Sequence, residues 1–255
     1  MRLIEIHEQE WFANELRNDV TETLEFIFSF AGVYRNCVVR LQRALQSCKT
    51  RQVVDLCSGG GGPWSWLPRT FQDDHEHPIE VCLTDKYPNR AAFLRIRRLS
   101  HNLVNYSLER VDAITVPSHL AGFRTMFTSF HHFPEGEGVS ILQQAVDSRQ
   151  GIGIFEAARC CPTAIVLTPL MFLGAFAAVP FVRPFRASRL FWTYVIPVIP
   201  FVLFWDGLVS CLRAYSPKEL SQMTACLRDN DYIWEVGEET GGLATVTYLI
   251  GCPVE

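Results

Sequence analysis

Val53-Val54-Asp55-Leu56-Cys57-Ser58-Gly59-Gly60-Gly61-Gly62 is a short apolar strand that runs straight into four glycines. Pro63-Trp64-Ser65-Trp66-Leu67 follows and reads as the start of a helix. A strand, a glycine turn and a helix in that order suit a ligand that must approach the backbone closely. Glycine has no Cβ, tolerates positive φ, and lets a helix N-terminus face the ligand. Such a turn alone fits several nucleotide ligands, a Rossmann-type dehydrogenase among them, or no ligand at all. The surrounding pattern has to decide.

Downstream, residues 79–84 read as a second strand ending at Asp85, 90–99 as a helix, and 107–111 as a third strand leading to Asp112-Ala113. A fourth strand over 123–130, a helix over 139–149 and a fifth strand over 152–155, ending at Glu156, continue the alternation. That rhythm means βαβ units and a mostly parallel sheet with helices on both faces, a three-layer α/β sandwich. Ser216-Pro217-Lys218-Glu219 carries an N-cap, a proline at the first helical position and an acid in the first turn. The helix it opens runs to about Arg228, and strands at 232–236 and 244–250, joined by Gly241-Gly242, form a closing hairpin. Upstream, Trp11, Leu16, Val20, Leu24, Ile27 and Phe28 recur at helical spacing, and Leu41 and Leu45 mark a second helix. The expected organisation is a helical cap over 1–50, a ligand-binding domain over 51–158 and 212–255, and an apolar insertion over 159–211.

A chain of 255 residues with 48% hydrophobic and 20% charged residues is ample for one large core and shows no disorder signature. Its net charge of −4 argues against a protein that binds nucleic acid by neutralising phosphates. Nine cysteines include no Cys-x-x-Cys pair, and an odd count suits reduced, buried thiols in a cytoplasmic protein better than a disulfide framework. The first residues carry acids where an export signal needs an apolar run. His75-Glu76-His77 with Asp73 and Asp74 is too cramped for a metal centre and reads as a solvated loop, so no metal is expected.

Two acids sharpen the reading of the glycine turn. Asp85, at the end of the next strand, can accept hydrogen bonds from both ribose hydroxyls of an adenosine. Asp112-Ala113, after the third strand, suits an adenine amino group. A dinucleotide Gly-x-Gly-x-x-Gly counted from Gly59 would need glycine at Trp64. With these residues the chain resembles the class I S-adenosylmethionine-dependent methyltransferases. Asp55-Leu56-Cys57-Ser58-Gly59-Gly60-Gly61 looks like that family's first motif, with Gly59 and Gly61 in register and Cys57 where the first glycine is expected. The resemblance covers roughly 53–156 and 216–252. It implies a seven-stranded, mostly parallel Rossmann-like sheet with a reversed final strand. It also implies S-adenosylmethionine as cofactor and a binding set of Asp55, Cys57, Ser58, Gly59, Gly61, Asp85, Lys86, Asp112, Ala113 and Ser129.

The catalytic candidates lie where the fourth and fifth strands end. His131 or His132, in Phe127-Thr128-Ser129-Phe130-His131-His132-Phe133, can orient or deprotonate an acceptor, and so can Glu156. Packing is the plainer role for at least one of the histidines. Methyl transfer asks for little more, because alignment supplies much of its acceleration.

In the insertion, 163–182 is a run of twenty uncharged residues, followed by Arg183, Arg186 and Arg189 and by a second apolar run over 190–205. A membrane-spanning hairpin would leave those arginines outside, against the positive-inside tendency. The remaining readings are a lid over an apolar substrate, a peripheral membrane contact with Trp192, Tyr194 and Trp205 at headgroup depth, or burial in a homodimer interface. The lid suggests a sharper expectation: Arg183, Arg186, Arg189 and Trp192 grip an anionic head group while apolar walls hold its tail. The sequence thus points to methyl transfer to a hydrophobic small-molecule or lipid-like acceptor. The alternatives are a non-catalytic membrane-associated scaffold that keeps the fold, or an RNA or protein methyltransferase.

Overall fold

A computed structural model of the chain describes residues 3–71, 79–228, 231–241 and 244–254. The His75-Glu76-His77 loop, its neighbouring aspartates and Gly242 of the closing turn lie outside these residues.

The elements in chain order are α1 (Asn14–Ala31), α2 (Val38–Ser47), β1 (Gln52–Asp55), α3 (Leu67–Thr70), β2 (Glu80–Asp85), α4 (Arg90–Leu99), β3 (Val104–Arg110), β4 (Phe123–Phe127), α5 (Glu135–Asp147) and β5 (Ile152–Glu156). Then come α6 (Pro162–Leu167), α7 (Pro169–Ala178), α8 (Ala187–Leu190), α9 (Val198–Arg213), α10 (Pro217–Ala225), β6 (Tyr232–Gly241) and β7 (Ala244–Pro253). The strands form one seven-stranded sheet in the order β3-β2-β1-β4-β5-β7-β6. Strands β1 to β5 are parallel, whereas β7 runs antiparallel to both β5 and β6. This is the Rossmann-like sheet with a reversed final strand that the resemblance implies. Its strand order turns back at β1 and β4, the position where open α/β sheets bind ligands beyond their strand ends.

Burial explains the layers. Every residue of β5 is buried, as a central strand covered on both faces requires. On one face Leu41 and Leu45 of α2 and Phe93 and Ile96 of α4 pack over Val53, Leu83 and Phe123. On the other, Ile141 and Leu142 of α5 with Leu220 and Met223 of α10 cover Val54, Met126 and Ile154. The capping box at Ser216 and Glu219 is present.

Several boundaries move for identifiable reasons. Strand β4 ends at Phe127 instead of residue 130 because Thr128 turns to φ 46°, which no strand continues through. Strand β3 begins three residues before the expected start at 107; it is an edge strand, and its mostly exposed side chains give no alternating apolar signal. The expected population of reduced thiols is corrected at one pair: Cys48, just after α2, and Cys252 of β7 are joined as a disulfide across 204 residues, with Cα atoms 5.7 Å apart.

The first fifty residues do not act as one cap. Helix α2 belongs to the sheet's own helical layer, whereas α1 packs with the insertion: Phe12, Val20, Ala175, Ile199, Val202 and Leu203 form a third core of their own. In the insertion, proline at 169 interrupts the twenty-residue apolar run, which folds as two short helices. No single described helix is long and apolar enough to cross a membrane; the segments Ala187–Val195 and Val198–Arg213 pass by length and composition only as a pair bent by 73°.

What joins the insertion to α1 is buried charge. Arg189, 1% exposed, places Nε 3.0 Å from Asp19 Oδ1 and donates from Nη2 to Glu22. Arg186 adds contacts of 2.7 Å to Asp19 and 3.0 Å to Glu22. Removing one partner of such a group strands the others without solvent, at a cost of about 3–5 kcal/mol. Arg189→Met is therefore expected to lower the unfolding free energy by that amount in urea titrations, and adding Asp19→Asn and Glu22→Gln should recover part of the loss.

Candidate functional site

The glycine turn is built from beneath by Asp55. Its carboxylate, 1% exposed, accepts from Ser58 Oγ at 2.6 Å and Thr125 Oγ1 at 2.7 Å, while its carbonyl accepts from Thr84 Oγ1 at 2.8 Å. The turn is thereby tied to β2 and β4. Cys57, which stands where the motif expects glycine, takes φ 56° and makes the left-handed step itself, a conformation that costs a residue with a Cβ roughly 1–2 kcal/mol. Glycine is needed elsewhere in the turn. A Cβ on Gly60 would meet the Thr21 carbonyl oxygen at 2.6 Å, and Gly61 has φ 104° with Ile96 Cγ1 2.6 Å from where its Cβ would be.

Above the turn lies a cavity of about 610 Å³. Cys57, Ser58, Gly59, Gly60 and Gly62 form one wall, with Asp85 and Lys86 beside them. Asp85 Oδ2 accepts from Gly59 N at 2.7 Å and Oδ1 from Tyr87 N at 2.7 Å. Each oxygen keeps a further lone pair for a ligand. Three members of the expected cofactor set stand back from this wall. Asp55 lies under the turn, Gly61 packs on Ile96, and Ala113 is buried in the core on the far face of the sheet. Asp112 also stands behind the rim, its Oδ2 3.4 Å from Lys86 Nζ and its Oδ1 accepting from Ile114 N at 3.0 Å.

At the other end, the turn after β4 brings Ser129, His131 and His132 to the cavity. Glu156, at the tip of β5 and 1% exposed, does not line the cavity; it holds this turn in place. Glu156 Oε1 accepts from Ser129 N at 2.9 Å and Phe130 N at 2.7 Å, and Oε2 is 2.6 Å from His131 Nδ1. Glu156 is thus a positioning group and not a base that meets an acceptor.

Sequence reasoning missed the other half of this cluster. Residues 3–8 lie across the C-terminal half of α9 as a strap that turns at residues 6–8. Ile6 N donates to Asp206 Oδ1 at 2.6 Å, His7 Nδ1 is 2.7 Å from Asp206 Oδ2, and Trp205 Nε1 donates to the Ile4 carbonyl at 3.0 Å. The strap drops Glu5, 1% exposed, between the histidines: its carboxylate is 3.4 Å from His131 Nε2 and 3.2 Å from His132 Nε2. Glu8 Oε1 lies 3.3 Å from His132 Nδ1, and Arg213 Nη1 reaches Glu8 at 3.0 Å. One signal could have found the site. Asp206 is the lone carboxylate between Glu156 and Glu219, inside an apolar helix, where an unpaired charge is prohibitive.

Electrostatics follow from the packing. Burial opposes charge on His131, but the Glu156 and Glu5 carboxylates outweigh it and raise its pKa to about 10. Burial likewise opposes ionisation of Glu5, yet His132 and His131 hold it well below the usual carboxylate range. His7 is raised by Asp206 against its own desolvation. Both ring nitrogens of His131 thus face carboxylates, Nδ1 toward Glu156 and Nε2 toward Glu5.

The expected arginine grip on a head group is also corrected. Arg186 and Arg189 are spent on Asp19 and Glu22 of α1, Arg183 is exposed with Nη1 3.3 Å from the Pro180 carbonyl, and Trp192 packs against the core formed by α1, α7 and α9. None of the four lines the cavity.

No known family's sequence profile matches the chain, and neither does any curated protein. Solved structures do resemble it. A Rhodobacter sphaeroides protein named as a Zn-dependent alcohol dehydrogenase is 11% identical, with a TM-score of 0.51 over 94% of this chain and 98% of its own. Human N-acetylserotonin methyltransferase in complex with S-adenosylmethionine is 10% identical, with a TM-score of 0.49 over 96% of this chain and 60% of its own. LepI in complex with S-adenosylmethionine is 15% identical, with a TM-score of 0.46 over 84% of this chain; the match spans 46% of the LepI chain. At these identities the likeness speaks to the fold alone.

Asp55 offers a test of how the turn is supported. Burial raises its pKa from 3.8 to about 6, against the hydrogen bonds from Ser58 and Thr125. A group whose folded pKa is raised contributes stability that is complete below the unfolded value and lost as pH climbs through the folded one. Asp55→Asn removes this contribution. The difference in unfolding free energy between the variant and the parent should move in the variant's favour as pH rises from 3.8 to about 6, and then level off.

Proposed function

We propose that this chain is an S-adenosylmethionine-dependent methyltransferase acting on a hydrophobic small molecule. One observation carries the proposal: a single cavity runs from the glycine turn and Asp85 to the histidine–carboxylate cluster, with Leu24, Phe28, Phe127, Met171 and Leu203 along its walls. A volume of about 610 Å³ falls in the range of small-molecule sites, which are apolar with a few placed polar groups.

The residues fit the cofactor. Gly59 and Gly62 leave the backbone open where its charged methionine end would approach, and Asp85 stands where its ribose hydroxyls would donate. When bound, S-adenosylmethionine supplies a sulfonium methyl group as the electrophile. The protein's own task is to bind, align and keep water out. Helices α1, α7 and α9 and the strap of residues 3–8 close the cavity on the side away from the sheet. Glu156 fixes His131, and Glu5, His131 and His132 present the polar face to which an acceptor's heteroatom would turn.

The insertion also leaves Leu170, Leu173, Phe181, Phe185, Phe191 and Val195 exposed. That surface favours an acceptor drawn from lipid, with the chain resting on a membrane face. Flotation with liposomes checks this contact: recovery of the chain only from the aqueous fraction would remove it.

Calorimetry checks the cofactor. S-adenosylmethionine or its demethylated product should bind to one site, and Asp85→Ala should weaken binding more than about tenfold, since hydrogen bonds to a charged acceptor contribute about 1.5–3 kcal/mol. No heat of binding at near-millimolar cofactor would sink the enzyme reading. Incubating small-molecule extracts with methyl-labelled cofactor should then put label into an apolar product.

A further inference from the structure

The cluster at the closed end of the cavity is more than a polar patch. His131 Nε2, His132 Nε2 and a Glu5 oxygen all lie within 4.8 Å of one another. The Glu5 carboxylate stands 3.2 Å from His132 Nε2 and 3.4 Å from His131 Nε2. The two contacts use different oxygens, Oε2 toward His132 and Oε1 toward His131; two donors each about 2.1 Å from one tetrahedral ion are about 3.4 Å apart, so each imidazole stands a ligand's separation from one of them.

The outer contacts point the same way. His131 Nδ1 is held by Glu156 at 2.6 Å, and His132 Nδ1 faces Glu8 at 3.3 Å. A carboxylate on Nδ1 fixes the tautomer that keeps the Nε2 lone pair for a metal, the arrangement that supports histidine ligands in metal centres. Both Nε2 atoms then point at the same carboxylate. A third imidazole, His7, sits beside His132, 3.7 Å from the same Glu5 oxygen, and is itself oriented by Asp206. Charge adds a further argument. Glu5, Glu8, Glu156 and Asp206 bring four carboxylates together with Arg213 as the guanidinium beside them, a surplus that a divalent ion would balance.

We propose that Glu5, His131 and His132 bind a divalent transition-metal ion of the zinc class. Two imidazoles and one carboxylate are a ligand set for such ions and leave coordination positions open. Glu5, His131 and His132 all line the cavity, so an open position faces into it. The ion site stands on its own geometry. Only its use in holding and polarising an acceptor's oxygen rests on the methyl-transfer reading.

The test uses the full chain, stripped with chelator and then titrated separately with Zn²⁺ and Co²⁺. Metal analysis after desalting should give one ion per chain, Zn²⁺ should raise the melting temperature, and Co²⁺ should produce the visible absorption of a low-coordinate nitrogen–oxygen site. Glu5→Gln and His132→Ala should abolish retention. Glu8→Gln, which touches only the outer contact, should weaken affinity by about 10–100-fold. His119→Ala, at an exposed histidine paired with Glu109, should change nothing. Retention equal in the parent, Glu5→Gln and His132→Ala would overturn the proposal, as would a parent chain that retains no Zn²⁺. Should the variants fail to fold, the Co²⁺ spectrum of the parent decides alone, and its absence is fatal. Calorimetry with S-adenosylmethionine on the same stripped and loaded samples reports separately on the methyl-transfer reading, so either can fail without the other.

Discussion

The buried carboxylates of α1 are the constraint on which the rest of the molecule depends. Asp19 and Glu22 receive Arg186 and Arg189 from the insertion, while Glu22 also accepts from Asn89 Nδ2 at 3.0 Å and Glu25 receives Arg95 at 2.7 Å. Asn89 caps α4 and Arg95 lies on it. One amphipathic helix therefore clamps the insertion on one side and the α4 side of the sheet on the other. Ions taken out of water stabilise only when every partner is in place. The arrangement accordingly specifies a single docking position for α1, and that position defines the roof of the cavity.

The sheet was legible because its signals are local. An apolar strand running into glycine at Val53 to Gly62, acids closing the next strands at Asp85 and Glu156, and a capping box at Ser216 each act within a few residues. The wall beside the glycine turn inherited that legibility: Gly59, Asp85 and Lys86 all line the cavity. Asp55 and Gly61 belong to the same motif but support the turn from below, a distinction set by which side of a four-residue bend a side chain leaves from.

The histidine end of the cavity was not legible, for a physical reason. Its groups come from the strap at Glu5 and His7, the turn at His131 and His132, and Asp206 in α9, and no periodicity links positions two hundred residues apart. The arginines at 186 and 189 misled for the opposite reason. Their spacing and apolar flanks suited an anionic ligand, but their anions are side chains of the same chain. A charged run answers to whichever partner the tertiary structure supplies, and the sequence around it cannot distinguish a carboxylate of α1 from a phosphate.

The strap over α9 bears on the order of assembly. Residues 3–8 are synthesised some two hundred residues before their hydrogen-bond partners Asp206 and Trp205. Contacts of such sequence separation form late, because the loop they close must first be ordered by everything inside it. During synthesis the glycine turn and its strands can take shape while Glu5 and His7 remain in solvent. The cavity is thus closed by a segment that must wait for α9, and a ribosome-bound chain leaves it open until that helix has emerged.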